Sequence, residues 1–165
     1  LKRFLEQGGK HLLFSNIDNL GATFDPVLLG LHIHKEVEMS IEVAAKAKGD
    51  KGGAPARVSD RLQVVEEFLF PTHFDQDRIQ VFNTATYIFS ALALDHSYDL
   101  PWYIVRKTVA GEDVLQFEHL AGDLSALLKI QCLLIDRASR FLPVKNQADV
   151  PEVQALIQKK YADIL

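Results

Sequence analysis

Five stretches of this chain end in side chains that could do chemistry, and the first is "FSNIDNLGATFDP" at residues 14–26. There Asp18 stands between Asn16 and Asn19, just where an apolar run stops. One carboxylate so placed can hold Mg²⁺, which keeps most of its water and takes only one or two protein oxygens. An asparagine such as Asn16 offers a donor and an acceptor together, which suits a ribose or sugar hydroxyl. The same residues equally suit an Asx-turn that caps the next helix.

The second stretch, "GDKGGAP" (49–55), has glycines, Gly53 among them, that let backbone N–H groups approach a ligand closely. It lacks phosphate-loop spacing and no helix follows it, so its other reading is a surface loop. In the third, "QVVEEFLF", Glu66 and Glu67 point to opposite faces of a strand, so only one can face a given pocket. Glu66 there could bond two neighbouring sugar hydroxyls, or act as an edge-strand charge that discourages aggregation. The fourth is Asn83 with Thr84 after "IQVF", where a helix is expected and an N-cap is the ordinary role. The fifth, "RASRFLPVK" (137–145), sets Arg137, Arg140 and Lys145 around a rigid Leu-Pro segment. It can aim Lys145 at phosphate oxygens, or be a solvated basic loop.

Histidines add no metal site to this set. His32 and His34 lie two apart on an expected helix and so point about 200° apart. His73, His96 and His119 have no companion ligands at metal spacing, and no Cys/His cluster argues for zinc. No Ser-His-Asp or Cys-His arrangement stands out either.

The elements that must position these residues follow from periodicity. "HLLFS" (11–15) is a continuous apolar strand, expected to be buried on both faces. Asp25 caps a helix with Pro26 in its first turn, and "VEMSIEV" (37–43) alternates like a strand with one wet face. Strand, helix and strand in this order predict a βαβ unit with a right-handed crossover and a parallel sheet. A loop over 44–56 leads to a strand over 61–70, ended by Pro71, and then to a short helical connection in "PTHFDQDR". A strand over 79–85 is expected to run into an amphipathic helix, "TYIFSALALDHS" (86–97). Residues 102–118 read as a hairpin turning at Ala110-Gly111-Glu112-Asp113, with a helix over 119–129 after it. "IQCLLID" (130–136) reads as a highly buried strand, then a loop precedes a helix with Pro151 in its first turn. The first residues, "LKRFLEQGG", read as a helix ended by Gly8 and Gly9. The class is α/β: a mixed, mostly parallel Rossmann-like sheet flanked by helices, with an inserted β-hairpin. In such open sheets ligands sit beyond the carboxyl ends of strands, where the polar stretches fall.

Composition narrows the partners. The chain has 165 residues, 48% hydrophobic and 24% charged, which suits one domain with a real core. A formal net charge of −4 without a Lys/Arg cluster argues against nucleic acid or an anionic membrane as the main partner. No apolar run approaches the roughly 20 residues of a membrane span, and no secretory signal is visible. The single Cys132 cannot form an intrachain disulfide, so a cytoplasmic setting is the expectation. With Leu at position 1 and helices at both ends, the chain reads as an internal piece of a longer protein.

Taken in order, "FSNIDNLGATFDP", "DKGG", "QVVEEFLFP", "VFNT", "VLQFE" and "SRFLPVK" resemble the UTP–glucose-1-phosphate uridylyltransferase family over nearly the whole chain. "NIDNLGA" and "RFLPVK" are the most specific parts. The related UDP-N-acetylhexosamine pyrophosphorylases share the "DN" turn and the "QVVE" strand, and "FDPVLLG" leans toward them. The resemblance implies a nucleotidyltransferase that joins UTP and a hexose 1-phosphate, with glucose 1-phosphate preferred, into UDP-sugar and pyrophosphate with Mg²⁺ bound. It implies Asp18 as a Mg²⁺ ligand, Asp18 and Asn16 as nucleotide contacts, with Asn16 at the ribose, and Gly53, Glu66 and Asn83 in the hexose pocket. Lys145 would be the catalytic residue, neutralising phosphate charge as the bond to pyrophosphate breaks.

The chain also departs from the family pattern. It lacks the Gly-rich loop ending in Pro-Lys, the segments that hold uracil and the C-terminal β-helix domain. Ala85 stands where the family commonly has a second asparagine, and Glu118 is kept without the small-residue run that follows it. Residues 1–165 are therefore expected to be the sugar-phosphate-binding half of a catalytic domain, inactive alone. The alternatives are a UDP-N-acetylhexosamine pyrophosphorylase-like enzyme and a non-catalytic module that binds a phosphosugar or regulates a partner.

Overall fold

The computed structural model of the protein describes residues 1–47, 49–50 and 52–162; Lys48, Lys51 and residues 163–165 lie outside them. Its main sheet has four strands: β1 (His11–Ser15), β2 (Met39–Ala45), β5 (Val81–Ser90) and β8 (Ile130–Leu134). Their order is β1-β5-β2-β8. β5 is antiparallel to both neighbours, while β2 and β8 pair in parallel. Strands β1, β2 and β8 thus share one direction, and two of the three pairings are antiparallel. The expected βαβ unit exists, with α2 (Pro26–His34) between β1 and β2, but β5 inserts between its strands.

The difference arises at residues 86–97. The expected amphipathic helix is instead the second half of β5, followed by a short 3₁₀ turn at Ala91–Leu94. Thr86, Tyr87, Ile88 and Phe89 are β-branched or aromatic, and they are buried in the middle of the sheet. Packing on both faces overrode the helical spacing. A bulge opposite Glu42 interrupts the strand, with Ala85 at φ 56°.

Burial also differs from the sequence pattern. β2, expected to have one wet face, is covered on both, because Ser40 and Glu42 meet buried partners described below. β1 and β8, expected to be deeply buried, lie at the sheet edges, where Leu13, Phe14 and Leu134 are exposed. The main core comprises Met39, Ile41, Val43, Val64, Tyr87, Phe89, Ala93 and Leu128.

Two hairpins flank the sheet. β3 (Ala54–Val58) and β4 (Arg61–Val65) were expected as a loop and one long strand; they turn through Ser59 and Asp60, at φ 48° and 64°. A two-residue turn with both φ positive matches the twist of the strands it joins. The strand stops at Val65, and Glu67–Leu69 form a 3₁₀ turn. β6 (Tyr103–Val109) and β7 (Glu112–Glu118) form the expected hairpin about Ala110-Gly111. A 3₁₀ segment at Ala121–Ala126 replaces the expected helix over 119–129, and its Ser125 Oγ accepts a 2.8 Å hydrogen bond from the Val64 amide. Helices α1 (Lys2–Glu6), α3 (Arg137–Arg140) and α4 (Val150–Lys160) complete the fold. Among the described residues no helix is long and apolar enough to cross a membrane.

Candidate active site

The carboxyl end of β1, the stretches at Gly53 and Glu66, the bulge of β5, residues 118–122 and the segment after α3 surround one cleft of about 430 Å³. Asn16, Asp18, Gly53, Glu66, Asn83 and Lys145 all line it. Six residues spread over 130 positions of sequence thus meet at one surface.

Asp18 and Lys145 form an ion pair, with Lys145 Nζ donating to Asp18 Oδ2. The backbone brings them together. Val144 N donates to Asp18 O at 2.9 Å and Leu20 N to Leu142 O at 3.1 Å, which zips residues 18–20 to residues 142–144. Asn19 clamps the zip from beneath. Its Oδ1 accepts from Leu142 N at 2.8 Å and Gly21 N at 3.2 Å, and its Nδ2 donates to Arg140 O at 3.2 Å. Gly21 is required beside it, because a Cβ there would lie 2.5 Å from the Arg140 carbonyl carbon. Lys145 N is tied to Asp149 Oδ2 at 2.7 Å, while the side chain, paired with Asp18, stays 62% exposed at the cleft.

The two arginines of "RASRFLPVK" have other partners. Arg140 makes a buried bidentate pair with Glu42, Nε to Oε2 at 2.8 Å and Nη2 to Oε1 at 2.6 Å, and donates to Thr23 O at 2.9 Å. Arg137 grips Asp50 at 2.7 and 2.9 Å and lies against Phe82 and Phe141, fixing the glycine-rich stretch. Of the three cations read as a ligand-binding set, only Lys145 lines the cleft.

The other wall is built around Glu66. It lies just past β4, on the cleft rather than on an exposed sheet edge. Burial and the neighbouring Asp123 push its carboxyl above the ordinary range, while a hydrogen bond from the Gly53 backbone pulls it back. Gly53 leaves no room for a side chain, since a Cβ there would meet Glu66 Oε1 at 2.9 Å. Asn83 is in a strand and caps no helix. Its Oδ1 accepts from Ala85 N at 3.0 Å and its Nδ2 donates to Tyr87 Oη at 2.8 Å. One amide hydrogen is left for a ligand. Asn83 N also donates to Gly53 O at 2.7 Å, joining the two walls. Burial raises the Tyr87 hydroxyl well above its usual range, so it remains a neutral phenol.

Sequence reading missed Phe14, Tyr87, His119 and Gly122 as cleft residues. Tyr87 was hidden by the helix assignment and His119 by the search for metal spacing alone. The Asn19-Leu20-Gly21 pattern carried a usable signal: a glycine two residues after a buried amide marks close backbone approach.

Among the described residues no group of three or more His, Cys, Asp or Glu could hold a metal. Asp18 stands alone, which suits Mg²⁺ completed by water and phosphate oxygens and does not suit zinc.

A sequence profile of the UTP–glucose-1-phosphate uridylyltransferase family matches residues 1–161. The barley (Hordeum vulgare) UTP–glucose-1-phosphate uridylyltransferase is 32% identical, over 94% of this chain and 35% of that protein. UDP-glucose pyrophosphorylase from Leishmania major, solved as a variant in complex with UDP-glucose, superposes with a TM-score of 0.72 at 26% identity, over 94% of this chain and 38% of that one. UDP-glucose phosphorylase from Trypanosoma brucei gives 0.77 at 27% identity, over 94% and 37%. The chain spans about a third of the length of the curated relatives it matches. Motif order, fold and profile agree, and the chain belongs to the UTP–glucose-1-phosphate uridylyltransferase family.

Proposed function

We propose that the full protein forms UDP-sugar and pyrophosphate from UTP and a hexose 1-phosphate, with glucose 1-phosphate as the sugar, and that residues 1–165 are the sugar-phosphate-binding half of its catalytic domain. The observation that carries this reading is the convergence of Asn16, Asp18, Gly53, Glu66, Asn83 and Lys145 on one cleft. The cleft combines a charged pair suited to phosphates with a glycine, a carboxyl and an amide suited to hydroxyls.

In this reading a phosphate oxygen of the sugar 1-phosphate attacks the α-phosphorus of UTP, and pyrophosphate leaves. Such chemistry depends on positioning and on neutralising charge. Lys145 exchanges Asp18 for a phosphate oxygen and stabilises the charge that builds as pyrophosphate departs. Asn16, exposed at the cleft rim, bonds the ribose. Glu66 accepts from two neighbouring hexose hydroxyls, and Asn83 donates its remaining amide hydrogen. Asp18 would hold Mg²⁺, which when bound screens the phosphate charges from one another. The 165 residues hold no glycine-rich triphosphate cradle, so alone they are expected to bind without turnover. A cytoplasmic setting goes with the lone, half-buried Cys132.

The test is pyrophosphate release by the full-length protein from UTP with a panel of hexose 1-phosphates, including the N-acetylated ones. Glucose 1-phosphate should be the best substrate. Preference for an N-acetylhexosamine 1-phosphate would move the protein to the related class, and no release with any sugar would favour a non-catalytic phosphosugar-binding module. Lys145→Ala should lower kcat by about a hundredfold to a thousandfold, as loss of one transition-state donor does, with a modest effect on sugar binding. Unchanged turnover would remove Lys145 from its role.

A further inference from the structure

His119 lines the same cleft, one residue beyond the end of β7. Its imidazole is held from two sides. Nδ1 lies 2.9 Å from the Pro101 carbonyl oxygen, which can only accept. Nδ1 therefore carries a proton, which in the neutral tautomer leaves Nε2 as the acceptor. Trp102 packs on the ring, with centroids 3.6 Å apart and planes inclined by 38°. Pro101 and Trp102 enter the hairpin and His119 leaves it, so one supersecondary unit sets both the tautomer and the orientation. No described residue bonds Nε2.

The wall that His119 begins runs on through Leu120 and Ala121 to Gly122. A Cβ on Gly122 would stand 3.6 Å from Glu66 Oε1 and 3.4 Å from Tyr87 Oη, so this wall closes against Glu66. Glu66 and Glu118 supply the carboxylate acceptors there, and Glu118 Oε1 is taken by Lys107 Nζ. Asn83 Oδ1 is already engaged by Ala85 N, and Ala85 supplies only a methyl group. A hexose has several hydroxyl donors to place, and His119 Nε2 is a fixed, unengaged acceptor on the Glu66 wall.

We infer that His119 is a specificity-determining residue of the cleft, its Nε2 accepting a hydrogen bond from one hydroxyl of the hexose 1-phosphate. This rests on the proposed function, because it needs a hexose in the cleft. A ring fixed by Pro101 and Trp102 reads the position of that hydroxyl, whereas a freely rotating side chain would follow it.

The experiment measures KM and kcat of the full-length protein for glucose 1-phosphate and for the monodeoxy analogue at each free hydroxyl. In the wild type, one analogue should have a KM about threefold to tenfold above the parent, the worth of one neutral hydrogen bond. His119→Phe keeps the stack on Trp102 and removes the acceptor. It should raise KM for the parent by a similar factor, erase the difference for that one analogue and leave kcat nearly unchanged. His119→Gln, whose side-chain oxygen reaches the region of Nε2, should restore the discrimination. If His119→Phe keeps the wild-type preference among all analogues, the inference is overturned and the proposed function stands. If the wild type uses no hexose 1-phosphate, the proposed function fails and the inference falls with it.

Discussion

Asp18 and Asn19 are neighbours with opposite fates. Asp18 turns into the cleft toward Lys145, whereas the buried amide of Asn19 bonds Leu142, Gly21 and Arg140. Residue type alone does not separate a ligand contact from a clamp; the partner across the chain does. His32 makes a similar point away from the site. It is 1% exposed, and Ser90 Oγ, which donates to Val37 O, must accept from His32 Nε2. Nδ1 then accepts from Ser40 Oγ at 2.8 Å, so the neutral ring is fully satisfied. Burial, aided by nearby His11, lowers the His32 pKa to about 4. The unfolded chain therefore takes up this proton first as pH falls. Stability from the neutral ring is present above about pH 6.5 and is lost as pH drops toward 4, by on the order of 2–3 kcal/mol. Urea midpoints between pH 7 and pH 4 should fall more steeply for the wild type than for His32→Gln. Parallel slopes would show that another group governs acid stability.

At the scale of elements, the buried Glu42–Arg140 pair joins β2 to α3 and, through Thr23 O, to the segment before α2. Removing one partner strands the other charge in the interior. Arg140→Ala should cost about 3–5 kcal/mol, read as a lower denaturant midpoint, and should loosen the zip that sets Asp18 beside Lys145. The double change Glu42→Met with Arg140→Met should recover much of that stability, since a buried ion pair is often replaceable by apolar side chains. A double variant as unstable as the single one would mean that the loss arises from packing around Thr23 instead. The same elements show what the sequence could reveal. Asp25 with Pro26, the Ala110-Gly111 turn and Pro151 announced their helices and hairpin through local chemistry. The second half of β5 did not, because "TYIF" has side chains that serve either period and only the flanking strands decide. Glu42 and Ser40 read as solvent-facing for the same reason: their partners, Arg140 and His32, lie far off in sequence or on another element. Motif order singled out the six candidate residues, and their meeting at one cleft depended on β5 lying between β1 and β2.

For the whole molecule, the cleft is a meeting of separate segments rather than a feature of one. Residues 14–19, 52–53, 66, 82–87, 118–122 and 141–145 each contribute to its lining. Hydrogen bonds tie them across the sequence, such as Asn83 N to Gly53 O and the zip of residues 18–20 to 142–144. A ligand spanning the Asp18–Lys145 pair and the Glu66 wall would add links that the unfolded chain cannot make. Binding to the native state alone stabilises by about 2.7 kcal/mol at a ligand concentration one hundred times Kd. For a chain of this size that corresponds to a rise in Tm of about 5–10 °C. UDP-glucose with Mg²⁺ should produce such a rise, and glucose without phosphate should not. On the proposed roles, Asp18→Asn should reduce the rise by removing the proposed Mg²⁺ ligand, while Glu66→Gln should reduce it by weakening the proposed hexose contacts. Calorimetry or dye-based melting of the protein and both variants is sufficient. A wild-type melting temperature indifferent to UDP-glucose across its titration would mean that the cleft is scaffold and not a site, whatever the family.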